Sequence, residues 1–164
     1  MRLRQLVLVT KEIDSLADQI CELFELKISF CDPELIHFGL ENRMIPVGDT
    51  FIEVVSPVHK NTTAERFLIK RNGPCGYMVI VDVEDIEHEK QRIKNENLKI
   101  IWHENRNVDG IHAQALHLHP KQIGGGPMNR SMDPPNHCLI GIICGAQNLF
   151  FGFQASMLGS KNKK

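Results

Sequence analysis

The chain contains an internal repeat, and this repeat limits the possible folds more than any other feature. Residues 6–28, LVLVTKEIDSLADQICELFELKI, align without a gap on residues 78–100, MVIVDVEDIEHEKQRIKNENLKI, so that Leu6 corresponds to Met78 and Ile28 to Ile100. Both copies read as an apolar run, an acidic break, a helical stretch and a second apolar run. Similarity at a fixed offset indicates a duplicated supersecondary unit. The sequence therefore predicts two modules of one design.

Each copy predicts a strand, a helix and three further strands. The apolar runs have the length of buried strands, and the helical stretch places apolar residues on one face. Asp14 or Ser15 is expected to cap the first helix, and the second is expected to begin near residues 84–85. In copy one the three following strands are predicted at residues 26–30, 35–47 and 49–58. In copy two they are predicted at residues 98–104 and 111–120 and after the glycines 124–126.

The segment between the copies predicts a short linker helix. Thr62 or Thr63 can cap it, and the sequence NGPCG ends it. One module cannot cover both faces of its own sheet, but two can curl together around a shared cleft. The predicted fold class is α+β, with two tandem βαβββ modules forming a cupped, incomplete barrel. The predicted boundaries are 1–58 for module one, 59–74 for the linker helix and 75–137 for module two, which together form one domain.

Composition excludes several classes of partner. The 164 residues carry a formal net charge of -1, which gives no electrostatic reason to expect nucleic acid. Five dispersed cysteines without a CxxC pair, and an N-terminus without a signal-peptide pattern, predict a reduced, cytoplasmic protein. Residues 138–158 contain no charged residue, but polar interruptions favour burial in protein over a membrane span. We expect this segment, followed by a basic tail, to complete the sheet or to form a homodimer contact.

Three short motifs resemble those of a known superfamily. GDTFIEVVSP, GYMVIVDVEDI and LHLHPKQIGG are similar to sequences of the vicinal oxygen chelate superfamily, which includes glyoxalase, bleomycin-resistance and extradiol-dioxygenase proteins. The resemblance covers about residues 1–126 and is closest to uncharacterised glyoxalase-like domain proteins. It implies the paired βαβββ architecture and one divalent metal ion, held by symmetric ligands of the two copies. Such a metal polarises a substrate oxygen as a Lewis acid.

The resemblance identifies four ligand positions, of which this chain keeps two. Gln5 occupies the first-strand position, and Glu53 occupies the fourth-strand position. Tyr77 stands where the second copy should provide a histidine, and Asn129 stands where it should provide a glutamate. Gln5 and Glu53 are therefore the predicted metal ligands, whereas Tyr77 and Asn129 are predicted to contact substrate. A single carboxylate is a weak site for a dication.

Two histidines in the HLHP motif give an alternative ligand set. His117 and His119 lie on one face of the predicted strand because side chains alternate with period two. With Glu53 they can form a three-ligand site that leaves one position open. Alternatively, His119 ends a strand at its turn and His117 lines the substrate site. The family motif favours this second interpretation, because the histidine before the proline is not among the usual ligands.

These residues support three functional hypotheses. In the first, the protein is a lyase or isomerase that binds a small oxygenated molecule, and Glu53 acts as general base or metal ligand. The oxyanion is then stabilised by the metal, or by Tyr77 and His117. In the second, the same pocket binds or sequesters a small molecule without catalysis. In the third, the chain is an interaction domain that packs through its apolar C-terminal segment.

Overall fold

The computed structural model describes residues 1–108, 111–119, 122 and 139–144, and it describes side chains at 1–105, 113–119 and 122. Contacts divide the chain into two compact units. The first unit is Leu3–Ile80, and the second is Met1–Arg2 with the residues from Val81 onward. This division falls at other residues than the predicted module boundaries at 58, 74 and 137, which remain a proposal.

The described elements form an α+β structure, which confirms the predicted fold class. Helices and strands follow the predicted order, with α2 as the linker helix, except that residues 26–30 form no strand and a 3-10 helix lies in the first half. In chain order the elements are β1 (Arg2–Val9), α1 (Ile13–Phe24), a 3-10 helix (Pro33–Phe38), β2 (Leu40–Val47), β3 (Thr50–Pro57), α2 (Thr63–Arg71), β4 (Cys75–Asp82), α3 (Ile86–Asn95), β5 (Ile100–Val108), β6 (Ile111–Leu118) and β7 (Leu139–Cys144).

The first unit is a sheet with the strand order β2-β3-β1-β4. Strand β1 is parallel to β3, and β2 is antiparallel to β3. Helix α1 covers one face, where Ile13 and Ala17 pack with Ile45 and Val54. Because successive side chains of a strand point to opposite faces, Glu53 lies on the face away from α1. This alternation places an ionisable side chain opposite the apolar core.

The second unit has a similar design built from other strands. Strand β6 pairs antiparallel with β5 and with β7. Helix α3 packs Ile86 and Ile93 against Leu116 and Leu118 of β6. Strand β7 lies in the uncharged segment 138–158, where its β-branched sequence LIGIIC favours a strand. Leu139–Cys144 thus supplies a strand of the sheet, and the role of the remainder of the segment stays a prediction.

Two strand predictions in module one were wrong. Residues 26–30 contribute only a single bridge, Phe30 with Met44, because a 3-10 helix follows almost at once. The strand predicted from residue 35 begins at Leu40 instead. Asp32 caps the 3-10 helix through its carboxylate, and Gly39, at φ 69°, ends it in a left-handed conformation that suits glycine. The Asp-Pro start of this helix was not recognised as a cap.

The caps of the other helices agree in part with the sequence. Thr62 caps α2 by accepting a hydrogen bond from Glu65 N. The sequence had predicted Thr62 or Thr63 as the cap. Asp85 caps α3 near the expected start. For α1 the expectation was wrong, since the helix begins at Ile13 and Glu12 at the cap position makes no side-chain cap hydrogen bond.

The offset between matching elements changes within the modules. Strands β1 and β4 begin at Arg2 and Cys75, and helices α1 and α3 begin at Ile13 and Ile86, so both pairs have an offset of 73. The left-handed residues after these helices, Glu25 and Asn97, have an offset of 72. Module two therefore has one residue fewer between the helix start and the left-handed residue that follows the helix. The ungapped alignment, which holds the offset at 72 throughout, missed this deletion.

The deletion changes which residues correspond in the first strands. At the offset of 73 shared by strand starts and helix starts, Gln5 corresponds to Met78, and Tyr77 corresponds to Arg4. The predicted equivalence of Gln5 and Tyr77 was therefore wrong by one position. A slip of one residue moves a side chain to the opposite face of a strand, so the error matters for any symmetric ligand scheme.

Candidate functional site

The first unit holds a buried carboxyl group between two amides. Glu53 on β3 is 8% exposed. Gln5 Nε2 donates a hydrogen bond to Glu53 Oε2 at 3.0 Å, and Asn42 Nδ2 donates one to Glu53 Oε1 at 2.6 Å. Met44 completes the group, with its Sδ 3.7 Å from Gln5 Nε2. We call Gln5, Asn42, Met44 and Glu53 the Glu53 cluster.

Strand register explains why these side chains meet. Met44 on β2 lies directly opposite Glu53 on β3, and Asn42 is two residues from Met44 on the same face. On the other side of β3, Val7 of β1 lies opposite Glu53, and Gln5 shares the face of Val7. Three strands therefore bring the polar groups to one face of the sheet.

Burial changes the acidity of Glu53. Desolvation raises the pKa of its carboxyl to about 7, the hydrogen bond from Asn42 lowers it, and the negative charge of Asp32 raises it. Removing a carboxylate from water disfavours its charged form unless donors compensate. The group therefore has its protonation midpoint near neutral pH, where it can both accept and return a proton.

Tyr77 lies in the first unit as part of an aromatic pair. It is 7% exposed, and its ring meets that of Phe67 edge to face, with the centroids 5.3 Å apart. Burial raises the pKa of the Tyr77 hydroxyl, and the charge of Arg66 lowers it. Its predicted contact with substrate stays a prediction. The packing on Phe67 gives the Tyr77 ring a structural role.

The two histidines lie in and just beyond β6 of the second unit. Leu116 and Leu118 belong to the core, so His117 between them faces the opposite side of the sheet. Burial lowers the pKa of the His117 imidazole, and the charge of Glu104 raises it. His119 follows the strand, and its backbone N–H donates to Lys99 O at 2.9 Å.

The rest of the HLHPKQ motif fixes the end of α3. Gln122 Oε1 accepts a hydrogen bond from Lys99 N at 2.8 Å, and Gln122 Nε2 donates to Asn97 O at 3.4 Å. The Gln122 N–H in turn donates to His119 O at 3.0 Å. These bonds give His119 and Gln122 a structural role in holding the α3–β5 connection.

Sequence reasoning missed Asn42 and named one residue that cannot be placed. Asn42 is 3% exposed and lies in the polar-looking run LENR, which gave no family signal. Its position two residues before Met44, on the strand that pairs with β3, was the available signal. Asn129 lies outside the described residues, as does most of segment 138–158, on which the homodimer prediction rests.

Comparison with known proteins relates the chain to solved structures. No protein-family model and no curated sequence matches it. Methylmalonyl-CoA epimerase from Mycobacterium tuberculosis superimposes with a TM-score of 0.70 at 16% identity, covering 92% of this chain and 91% of that one. A variant of the epimerase from Streptomyces coelicolor, in complex with 2-nitronate-propionyl-CoA, gives 0.70 at 14%, covering 89% and 98%. A hypothetical protein from Bacillus halodurans C-125 gives 0.68 at 19%, covering 87% and 93%.

These similarities decide the fold. The chain has the vicinal oxygen chelate fold. The resemblance inferred from the three motifs is thereby confirmed for architecture, although sequence identities this low carry no reaction with them. Among the described residues, no helix is long and apolar enough to cross a membrane.

The metal site implied by the vicinal oxygen chelate resemblance fits the described residues poorly. Gln5 and Asn42 both direct N–H groups at Glu53, and an N–H group does not coordinate a cation. Met44 provides a thioether, which is a soft ligand that hard dications avoid. In the described part of the chain, no three side chains of His, Cys, Asp or Glu converge into a group that could hold a metal ion. We therefore assign no chemical step to a metal ion.

Proposed function

We propose that the Glu53 cluster binds a small carbonyl compound and that Glu53 removes and returns a proton on the carbon next to the carbonyl. The observation that carries this proposal is the buried Glu53 carboxyl, which is held by two amide donors and has a pKa raised to about 7. A general base works best when its pKa is close to the working pH. The reaction class is isomerisation.

The step balances within the chain and substrate. The Glu53 carboxylate forms an O–H bond while the C–H bond breaks, and the electron pair moves to the carbonyl oxygen to give an enolate. Return of the proton to the same face of that carbon regenerates the substrate, whereas return to its opposite face or to another atom of the enolate completes the isomerisation. The enolate oxygen needs a hydrogen-bond donor. Tyr77, which belongs to the same unit as Glu53, is the proposed donor for that role.

The structural neighbours support the choice of substrate class. The Streptomyces coelicolor enzyme is an epimerase and its structure contains 2-nitronate-propionyl-CoA. We infer that this chain acts on a carbonyl compound whose α-hydrogen is similarly acidic. The shared fold does not determine whether this carbonyl belongs to a thioester or to an acid. The exchange experiment below identifies the compound class.

A second candidate function is binding without catalysis. The observation that favours it is the composition of the Glu53 cluster, in which Glu53 is the only ionisable member. With its pKa near 7, Glu53 can also serve as a neutral hydrogen-bond donor to a ligand carbonyl. In that case a compound stabilises the fold but undergoes no proton exchange.

Deuterium exchange separates the two candidates. The tag-free protein, purified without chelator and analysed for bound metal, is incubated in heavy water with a panel of α-branched acyl thioesters and 2-oxo acids. Incorporation at the α-carbon that is lost in Glu53→Gln supports the isomerase. Ligand-induced thermal stabilisation without incorporation supports the binder. Incorporation that persists in Glu53→Gln contradicts the role of Glu53. Stoichiometric zinc, nickel, iron or manganese in the protein contradicts proton transfer without a metal ion.

A further inference from the structure

The two oxygens of Glu53 are held in different ways. Oε1 receives the short bond from Asn42, at 2.6 Å, and Oε2 receives the longer bond from Gln5, at 3.0 Å. Short N–H···O bonds to a carboxyl group are characteristic of strong, charge-assisted contacts. The two oxygens therefore receive bonds of different length, a short one from Asn42 and one of ordinary length from Gln5.

Asn42 is itself fixed at both ends of its amide. Its Oδ1 accepts a hydrogen bond from the backbone N–H of Asp32 at 2.7 Å, while its Nδ2 donates to Glu53. A flip of the amide, which exchanges its oxygen and nitrogen, would place the NH₂ group against the Asp32 N–H, donor against donor. The side chain is 3% exposed, so water cannot easily replace a lost partner. Asn42 consequently has one allowed orientation.

Gln5 is held at one end only within the described residues. Both contacts of its amide involve Nε2, one to Glu53 Oε2 and one of 3.7 Å to Met44 Sδ. A thioether sulfur is a weak acceptor and imposes little orientation. The Gln5 side chain can therefore rotate away from Oε2 at a smaller cost than Asn42 would incur at Oε1.

We propose that Asn42 is a positioning residue that locks Glu53 through Oε1, and that Oε2, from which Gln5 can withdraw, is the oxygen that exchanges the proton with substrate. The inference rests on the proposed function for the proton transfer, but the positioning by Asn42 can be measured without any substrate. In the transfer, Oε2 forms the new O–H bond as the substrate C–H bond breaks. Asn42 keeps its bond to Oε1 throughout.

The charged surroundings of Glu53 decide how this can be tested. The other members of the Glu53 cluster are neutral, and Asp32 beside the 3-10 helix is the carboxylate whose charge acts on Glu53. Asn42 and Asp32 act in opposite directions, since the hydrogen bond favours the carboxylate and the nearby charge disfavours it. Two substitutions of neighbouring groups should therefore shift the titration of Glu53 in opposite senses.

The first experiment titrates Glu53 in the full chain by carboxyl carbon NMR, with the signal assigned by its loss in Glu53→Gln. Asn42→Leu should raise the midpoint by about one to two pH units, because it removes a hydrogen bond that favours the charged carboxylate. Asn42→Ser keeps a small polar group and serves as the second variant if Asn42→Leu does not fold. It should raise the midpoint less than Asn42→Leu. Asp32→Asn keeps the backbone donor and the helix cap but removes the charge, so it should lower the midpoint. An unchanged midpoint in both Asn42 variants would overturn the proposal.

The second experiment compares activity as a function of pH. If the deuterium exchange is found, its pH midpoint should rise in Asn42→Leu, and Gln5→Leu should retain more activity than Asn42→Leu. A larger loss in Gln5→Leu would assign the working oxygen to Oε1 and overturn the proposal. If no substrate exchanges but the NMR midpoints move as expected, the positioning by Asn42 stands and the isomerase function fails.

Discussion

The last strands of the two modules occupy the same place in the topology and differ in chemistry. Strand β3 pairs antiparallel with β2, as β7 pairs antiparallel with β6. The sequence of β3, TFIEVVSP, contains Glu53, whereas that of β7, LIGIIC, contains no carboxylate. The two modules therefore share the backbone pairing and not the acid. A symmetric pair of acidic ligands, one from each module, cannot be formed by these two strands.

In contrast to the last strands, the helices of the two modules have similar buried faces. Ile13 and Ile20 of α1 pack in the first core as Ile86 and Ile93 of α3 pack in the second. A spacing of seven residues is two helical turns, so each pair lies on one face. Packing is the shared property of the two modules, and among the described residues the polar Glu53 cluster belongs to the first. The predictions below test this division between shared scaffold and single site.

The largest effect should follow from removing β7. A chain truncated after Pro135 leaves the Gln114–Leu118 edge of β6 without its pairing strand. An exposed edge and an uncovered core favour aggregation, and the loss should amount to most of a typical stability of about 5–15 kcal/mol. We expect insoluble or strongly destabilised protein in expression and urea-unfolding experiments.

A matched control separates β7 from the residues after it. A chain ending at Cys144 keeps the strand, and it should remain soluble if the pairing matters most. Light scattering then tests the predicted homodimer: a full-length dimer with a monomeric chain ending at Cys144 would locate the contact after β7. A soluble, stable protein truncated after Pro135 would contradict the role of β7 as the counterpart of β3.

The next largest effect concerns catalysis by the first module. Glu53→Gln removes the base but keeps the shape of the side chain, so the deuterium exchange rate should fall about 100- to 10,000-fold. His117→Gln provides the comparison in the second module. Because His117 belongs to the other unit, its loss should cost less than that of Glu53. An equal or larger loss would mean that the chemistry is not concentrated in the Glu53 cluster.

The same substitution should affect stability with a defined dependence on pH. The pKa of Glu53 is raised to about 7 in the fold, so the folded state holds its proton after the unfolded chain has released it. Stability is therefore unaffected at low pH and falls as the pH rises from about 4.5 to about 7, by about 3 kcal/mol. Glu53→Gln abolishes this loss. In urea unfolding, Glu53→Gln should have a higher unfolding free energy than the wild type at pH 8 but not at pH 4. A variant that is less stable than the wild type at pH 8 would instead identify Glu53 as a structural partner.

The sequence predicted the scaffold better than the site, for physical reasons. Periodicity revealed α1, α3 and β3, because burial of one face requires a regular pattern. It could not show that a single residue is deleted within module two, since the apolar pattern tolerates a slip of one in a short strand. It also could not identify Asn42, whose role depends on Asp32 reaching it from an irregular segment. The alternation rule did place Glu53 opposite Ile52 and Val54, as observed.

The smallest expected effect compares the ends of the two matching helices. Glu25 after α1 and Asn97 after α3 are both left-handed, each with φ 54°. Asparagine tolerates this conformation better than glutamate, because its short side chain can hydrogen-bond locally, and glycine adopts it without steric cost. Glu25→Gly should therefore raise the unfolding free energy by about 1 kcal/mol, and Asn97→Gly by a few tenths. Urea unfolding measures both.

An equal gain at the two positions would mean that the backbone cost is the same, and that residue type does not distinguish the helix ends. A loss in Asn97→Gly alone would indicate that the Asn97 side chain contributes a contact of its own at the turn where Gln122 Nε2 donates to Asn97 O. Gln122→Ala then separates the two contributions, since it removes the bonds to Lys99 N and Asn97 O and leaves the left-handed residue in place. That variant should lose about 1 kcal/mol whichever residue occupies position 97.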